Sequence, residues 1–530
     1  MYPLIKTNSR YAERAEAISE KMRKYTNDSF LNCLFSHFQT YIKHNNITMN
    51  FPWCCFLALK WKFSAEQKTY ASDMSQKDFA KIINKIYQLT EDAVKFESEA
   101  GVILEMRRMI INQTFYQTRL QTFALALSRQ YSWYCKSDTP FFRDNFKSLT
   151  GLELDNYYKI AFFLTFYFQL DKNSESSLVN IDRIIIFLVP LFGVDEVHAF
   201  LKLVSIRRNE IKDFVLLHAR EGWNVEEYFE RTPFLYKPLI LEKQGLVVLS
   251  KTVMNAGFSA IVPELFNENL KGKYGEKFGK IVERYLEKLL IDTFSTVVTE
   301  KELNKIYRDK KRTGKVVDYL IQEDDAKVFI DSKAVMPHRH LRDSIIANQL
   351  KNKLKDNLLE GLEKGQFCAS IINGIEKRKP NPRDSLIIIL QQDHYVSTGK
   401  FISSFINKDI FNKIISDLGD LPIHQDRIYY ITIDEFENLL EACSHNHISI
   451  TEIIDRCVEN DHNQATQKMN FQMHIDELLP PKSTIHKDLL ANHDEFLKVY
   501  AKINYASKIW DGGERAYNEI RKQLLSGFLD

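Results

Sequence analysis

From the N-terminus to about residue 230, apolar residues recur at every third or fourth position with few turn signals, as in "FLNCLFSHFQTYI" and "YYKIAFFLTFYFQL". This period predicts an all-α domain rich in Phe and Tyr. Its aromatic side chains read as core, since they carry the largest apolar area a helix can bury. The pattern changes at "RTPFLYKPLILEKQGLVVLS", where two Pro punctuate the chain and two short apolar runs flank "EKQG". A hairpin is predicted there, followed by a helix with Ser250 as its cap. From Tyr274 to about Leu440 the order is helix, three strands, helix, strand, helix, strand, helix, which implies an α/β domain around a central mixed sheet. "SLIIIL" (Ser385–Leu390) and "RIYYITI" (Arg427–Ile433) are continuous apolar runs of the kind covered on both faces. Beyond about residue 440 the pattern is helical again, interrupted by "LLPPKST". The expected division is an α-helical domain over 1–230 for regulation or partner contact, an α/β domain over 231–440, and a helical extension over 441–530.

Composition narrows the class. At 530 residues the chain is too long for one core. Its 72 basic and 70 acidic side chains leave a formal net charge of +2, so affinity for a polyanion must come from a local patch. Seven Cys without regular spacing do not make a disulfide framework, and the cytoplasm is the expected compartment. The opening "MYPLIKTNSRYAERAEAISEKM" carries charges where a secretory signal would be apolar, so no export is expected. "IAFFLTFYF" and "IIIFLVPLF" fall short of the roughly 20 apolar residues of a bilayer span, so no membrane is expected either. Cys443, His445, His447, Cys457 and His462 cluster in sequence, but their spacing matches no standard zinc site. No Gly-rich phosphate loop is present, which argues against a nucleotide-driven motor.

The stretch "VVDYLIQEDDAKVFIDSKA" (Val316 to Ala334) carries the candidate chemistry. Two short apolar runs flank a polar turn, and each run contains an acid. Side chains alternate faces along a strand, so Val316, Asp318 and Leu320 share one side, and Phe329, Asp331, Lys333 and Val335 share one side of the next strand. Paired with these faces together, two carboxylates and one ammonium converge. Adjacent buried carboxylates repel, and a divalent cation relieves that repulsion. Mg²⁺ accepts a few carboxylate oxygens and completes its shell with water and phosphate oxygens. Acid-x-Lys triplets also occur at Glu66, Glu210, Asp309 and Asp325, and what separates Asp331-Ser332-Lys333 is its place after a second acid-bearing strand. The plainer alternative is an edge hairpin with a cross-strand Asp/Lys pair.

Upstream, "GKIVERYLEKLL" (Gly279 to Leu290) predicts an amphipathic helix with an apolar stripe through Phe278, Ile281, Val282, Tyr285 and Leu289. Glu283 sits at the border of that stripe, and Gly279, one turn earlier, leaves space above it. The ordinary alternative for Glu283 is a flanking, solvated acid.

A helix with Gly-x-x-apolar-Glu, a strand, a strand with Asp, a strand with acid-x-Lys and a further helix resemble, in that order, the PD-(D/E)XK nuclease superfamily, over about Gly272 to Ile433. The resemblance implies a restriction-endonuclease-like core, with Asp318 and Asp331 as metal ligands and Lys333 as the catalytic lysine. It further implies Glu283 as an auxiliary acid and metal ligand, with Glu276 as its rival, and Gln349 as an accessory residue. The chain departs from the pattern in having Val317, not Pro, before the first Asp. The cofactor implied is Mg²⁺, with Mn²⁺ able to substitute.

Two basic segments flank these strands. "YRDKKRTGK" supplies Lys310, Lys311, Arg312 and Lys315 just before Asp318, and "HRHLR" supplies His338, Arg339, His340 and Arg342 just after Lys333. Both are expected to contact nucleic-acid phosphates. The expected function is a metal-dependent DNA endonuclease in bacterial restriction or antiviral defence, with a partner protein or a second copy meeting the N-terminal helices. An RNA-directed nuclease, or a non-catalytic nucleic-acid-binding scaffold, stands as the alternative.

Overall fold

A computed structural model describes residues 9–39, 51–94, 99–118, 120–168, 174–219, 222–323, 325–334, 344–391, 395–463, 465–468, 470–479, 487–502 and 508–528. The chain is mostly helical, with two mixed sheets. It divides into two compact units, one of Met1–Lys95, Met109–Leu270 and Lys487–Asp530, the other of Phe96–Arg108 and Lys271–His486. Among the described residues no helix is long and apolar enough to cross a membrane.

The first unit is helical apart from a four-stranded sheet, β1 (Ser177–Asn180), β2 (Ser205–Arg207), β3 (Leu239–Glu242) and β4 (Gly245–Val248), in the order β1-β4-β3-β2. Strands β3 and β4 are the expected hairpin, and Ser250 Oγ accepts from Val253 N at 3.2 Å to cap the helix Lys251–Leu270. The N-terminal domain is therefore not all-α. Strands β1 and β2 have four and three residues, too few to display an alternation of period two. They complete the sheet because β1 pairs antiparallel with β4, and β2 pairs parallel with β3. A Cβ on Gly245 would stand 1.9 Å from Val179 O, so β1 can lie this close only beside a glycine.

Because the hairpin forms the middle of this sheet, the first unit runs to Leu270 and the expected boundary at 230 does not hold. The expected C-terminal extension is likewise divided. The helix Lys487–Tyr500 belongs to the first unit, where Leu489 O accepts from Ser128 Oγ at 3.0 Å and Phe496 stacks edge-on with Tyr131. Residues 441–486 belong to the second.

The second unit is built on a five-stranded sheet, β5 (Val297–Thr299), β6 (Tyr319–Glu323), β7 (Ala326–Lys333), β8 (Ser385–Leu390) and β9 (Ile428–Thr432), in sequential order. Strands β5, β6 and β7 form an antiparallel meander, and β8 and β9 add in parallel. Parallel neighbours require crossovers. The first crossover holds α3 (Ala347–Leu354) and α4 (Glu360–Glu376), joined by a π-helical turn over Lys355–Leu359. Ahead of the meander runs α1 (Gly272–Thr293), which buries Tyr274, Phe278, Val282, Leu286, Leu289 and Leu290. Between β5 and β6 lies α2 (Glu300–Asp309), a helix absent from the expected order, so only Lys310 to Lys315 of the basic segment form a loop. Its signal is local: Thr299 and Glu302 make a reciprocal capping box. Strand β8 is buried along its whole length, as its continuous apolar run implies.

Candidate active site

The register of β6 and β7 sets Tyr319 opposite Ile330 and Leu320 opposite Phe329. Extended by one step, it sets Asp318 opposite Asp331. Opposed residues project to the same face, so both carboxylates leave the sheet on the side of Leu320 and Phe329. Asp331 is fully buried and Asp318 nearly so. Ser332, which follows Asp331, fixes the other acid: its backbone N–H and its hydroxyl both donate to Asp318 Oδ2, at 2.7 and 2.6 Å. Asp318 O accepts from Glu300 N at 2.7 Å, which ties the first turn of α2 to the site. Lys333 Nζ stands 3.1 Å from Asp331 Oδ2 and 3.4 Å from Glu360 Oε2.

The face from which these acids project is covered by α4. A Cβ on Gly365 would lie 2.5 Å from both Leu386 methyls, and one on Gly361 would lie 3.2 Å from Asp331 Oδ2. With only hydrogen at these two positions, one helical turn apart, the helix lies directly against β7 and β8. That approach delivers Lys364, which shares this helix face. Its Nζ lies 2.9 Å from Asp318 Oδ1 and 2.5 Å from Asp331 Oδ1, bridging the two acids.

The electrostatics follow from this crowding. Burial, and then the Asp318 carboxylate, push Asp331 up to about 6, against the pull of Lys364 and Lys333. Among the described residues neither Asp331 oxygen receives a hydrogen bond of normal geometry, so its compensation is ionic. Burial alone would lower Lys364, but the charges of Asp331 and Asp318 outweigh it and hold the amine above its ordinary value.

Glu283 lies on α1, across the sheet from α4. The Tyr319 hydroxyl donates to Glu283 O, which pins this part of α1 beside the residue that follows Asp318. Partial burial, then Asp318, raise the Glu283 carboxyl. Glu276, its rival, is exposed and pairs with Lys280 at 3.4 Å. A Cβ on Gly279 would meet nothing within 4 Å, so the space expected above Glu283 exists. Gln349 accepts from Ser344 Oγ at 3.2 Å, and none of the described hydrogen bonds joins it to the acids.

Lys310, Lys311, Arg312 and Lys315 are exposed in the loop before β6, and Lys315 Nζ reaches to 3.9 Å from Glu360 Oε1. His338, Arg339, His340 and Arg342 lie outside the described residues. Cys443 and Cys457 are buried, and burial pushes both thiols up.

Lys364, Glu360 and Gly361 escaped the sequence reading. The available signal was "EGLEKG", a helical stretch in which two glycines four apart bracket a lysine. The donor set suits a hard divalent cation: two facing carboxylates, one of them compensated only by ammonium groups. Asp318 and Asp331 would be the protein ligands, with water or substrate oxygens completing the shell. Among the described residues no group of three or more His, Cys, Asp or Glu is arranged to hold a metal. Compared with known protein families, curated proteins and solved structures, the chain has no match.

Proposed function

We propose that the chain is a metal-dependent nuclease that hydrolyses phosphodiester bonds within DNA, with its chemistry in the second unit. The observation that carries this reading is the convergence of Asp318, Asp331 and Lys333 on one face at the end of an antiparallel strand pair, followed by a helical crossover to a parallel strand. That order also supports the resemblance to the PD-(D/E)XK superfamily. Bacterial restriction or antiviral defence follows from the resemblance alone, and seven free cysteines suit a reducing cytoplasm.

Asp318 and Asp331 would hold a Mg²⁺, which would supply Lewis-acid activation of the phosphoryl oxygen and of the attacking water. Ser332 holds the Asp318 carboxylate in one orientation through two hydrogen bonds. Lys333 presents its ammonium beside Asp331, where it meets the negative charge that grows on the phosphate and orients the attacking water. Lys315 and the exposed Lys310, Lys311 and Arg312 hold the flanking backbone.

Incubation with plasmid, linear duplex, single-stranded DNA and RNA, each with Mg²⁺, Mn²⁺ or Ca²⁺, tests the reading. Cleavage of DNA with Mg²⁺ or Mn²⁺, lost in Asp331→Asn and Lys333→Met while Asp325→Ala retains it, is the expected result. Asp325 is the control because it makes an exposed pair with Arg383. Cleavage of RNA alone would move the substrate, and no cleavage with any metal would sink the reading. A second reading draws on one observation: two ammonium groups neutralise the two carboxylates without any metal. It describes a scaffold that binds nucleic acid uncut, and binding without cleavage would favour it.

A further inference from the structure

We infer that Lys364 is a resident counter-cation of this site: its ammonium occupies the position between Asp318 and Asp331, and a divalent metal binds only by displacing it. The inference rests on the nuclease reading for the identity of the metal and adds a control on when that metal enters.

The four carboxylate oxygens are unequal. Asp318 Oδ2 is taken by the Ser332 amide and hydroxyl, and Asp331 Oδ2 faces Lys333. The remaining two, both Oδ1, converge on one atom, Lys364 Nζ, at 2.9 and 2.5 Å. Those are the oxygens through which a cation would bridge the acids. An ammonium and a divalent ion cannot share that point, because like charges repel most strongly where water is excluded.

Gly361 and Gly365 let the backbone of α4 lie close against Asp331 and Leu386, so the ammonium is held at the acids by a short path. The lysine side chain has rotatable bonds and can leave alone. Glu360, four residues earlier on the same helix face and half-exposed, is within reach as its next partner.

The arrangement has a folding rationale. Two acids buried side by side must be compensated before any metal arrives, and Lys364 does this from within the chain. The consequence is a raised metal threshold: affinity for the divalent ion is lowered by the work of expelling the ammonium. Lys333 differs, since it pairs with Asp331 Oδ2 alone and does not stand between the two acids, so it can remain when a metal enters.

Calorimetric titration of Mn²⁺ and Ca²⁺ into the wild type, Lys364→Met, Lys364→Arg and Lys333→Met, without nucleic acid, tests this. Lys364→Met is expected to bind Mn²⁺ at least about tenfold more tightly, since a unit charge is removed from a low-dielectric site. Lys364→Arg should remain as weak as wild type, and Lys333→Met should change less than Lys364→Met. The metal-free Tm of Lys364→Met should fall, and Ca²⁺ should restore it. Equal or weaker binding by Lys364→Met would overturn the displacement while leaving a metal-dependent nuclease intact. Absence of metal binding in every protein, with no cleavage, would remove the metal reading and the displacement together. If Lys364→Met does not fold, the wild type still decides: a protected Lys364 ammonium signal in a ¹⁵N-lysine NMR spectrum should vanish on saturation with Ca²⁺, and its persistence would overturn the inference.

Discussion

A Cβ on Gly361 would stand 3.2 Å from Asp331 Oδ2, so the closest approach of helix α4 to the site is made at a residue without a side chain. In Gly361→Ala the helix gains about 0.5–1 kcal/mol of intrinsic propensity, which offsets the tighter contact. The fully buried Asp331 has nowhere to move except along the strand, out of line with Asp318. Melting should therefore stay close to wild type while cleavage falls by about tenfold or more. Gly365→Ala should do the reverse. Its Cβ meets Leu386 at 2.5 Å, and overpacking of this kind costs about 1–3 kcal/mol. Thermal melts and cleavage rates on the two variants check the pair, and undiminished cleavage in Gly361→Ala would separate α4 from the chemistry.

Glu283 and Glu276 lie on the same helix, and burial, then the Asp318 charge, raise the Glu283 carboxyl. Glu283→Gln removes a negative charge that interacts with Asp318, so the Mg²⁺ concentration at half-maximal cleavage should rise by roughly several-fold. Glu276→Gln breaks only an exposed pair with Lys280 and should leave that concentration unchanged. Cleavage measured against Mg²⁺ concentration discriminates them, and a larger effect from Glu276 would put the helix in the wrong register.

Replacing Lys310, Lys311 and Arg312 together with Ala should weaken nucleic-acid binding without altering sequence preference. Each lost phosphate contact removes roughly 0.9 from the slope of log affinity against log salt for duplex DNA. The three side chains are exposed at the entrance to β6, so their removal should leave the melting temperature unchanged. Binding by the Asp331→Asn protein at several salt concentrations reports the slope, and an unaltered slope would assign the loop to solvent.

Lys62 makes a prediction for the first unit. Its helix, Pro52–Ser64, is buried on all sides, and among the described residues the Lys62 amine has no hydrogen-bond partner, whereas Lys60 pairs with Glu227 at 2.8 Å. Burial pushes Lys62 down from 10.5 to about 8. The native state therefore holds fewer protons than the unfolded state between these values, so stability rises with pH across that window. The destabilisation is complete below pH 8 and disappears as the pH climbs towards 10.5. Lys62→Met should add about 2 kcal/mol at pH 7, and the gain should shrink by pH 10. Denaturant melts of both proteins from pH 6 to 10 measure it, and a gain independent of pH would mean that the amine finds a proton-stabilising partner.

What the sequence determined by itself was local. Alternation along β6 and β7 is a property of extended backbone, so the common side of Asp331 and Lys333 could be read from spacing, and the full burial of β8 from its run of apolar residues, while the facing of Asp318 and Asp331 came from the register of the two strands. The Ser250 cap and the hairpin at 239–248 were legible for the same reason, since each depends on a few neighbouring residues. The tertiary structure alone decided the rest. Lys364 escaped the sequence reading, and it became the bridge between the two acids only because Gly361 and Gly365 allow its helix to lie against β7 and β8. Strands β1 and β2 were too short to carry a pattern and exist through their pairing with a hairpin. The helix Lys487–Tyr500 joins the unit at the opposite end of the chain because its buried residues find partners there. A period along the backbone is set by bond geometry within a few residues, while contact between distant segments is set by which surfaces can close without leaving a cavity or an unpaired charge.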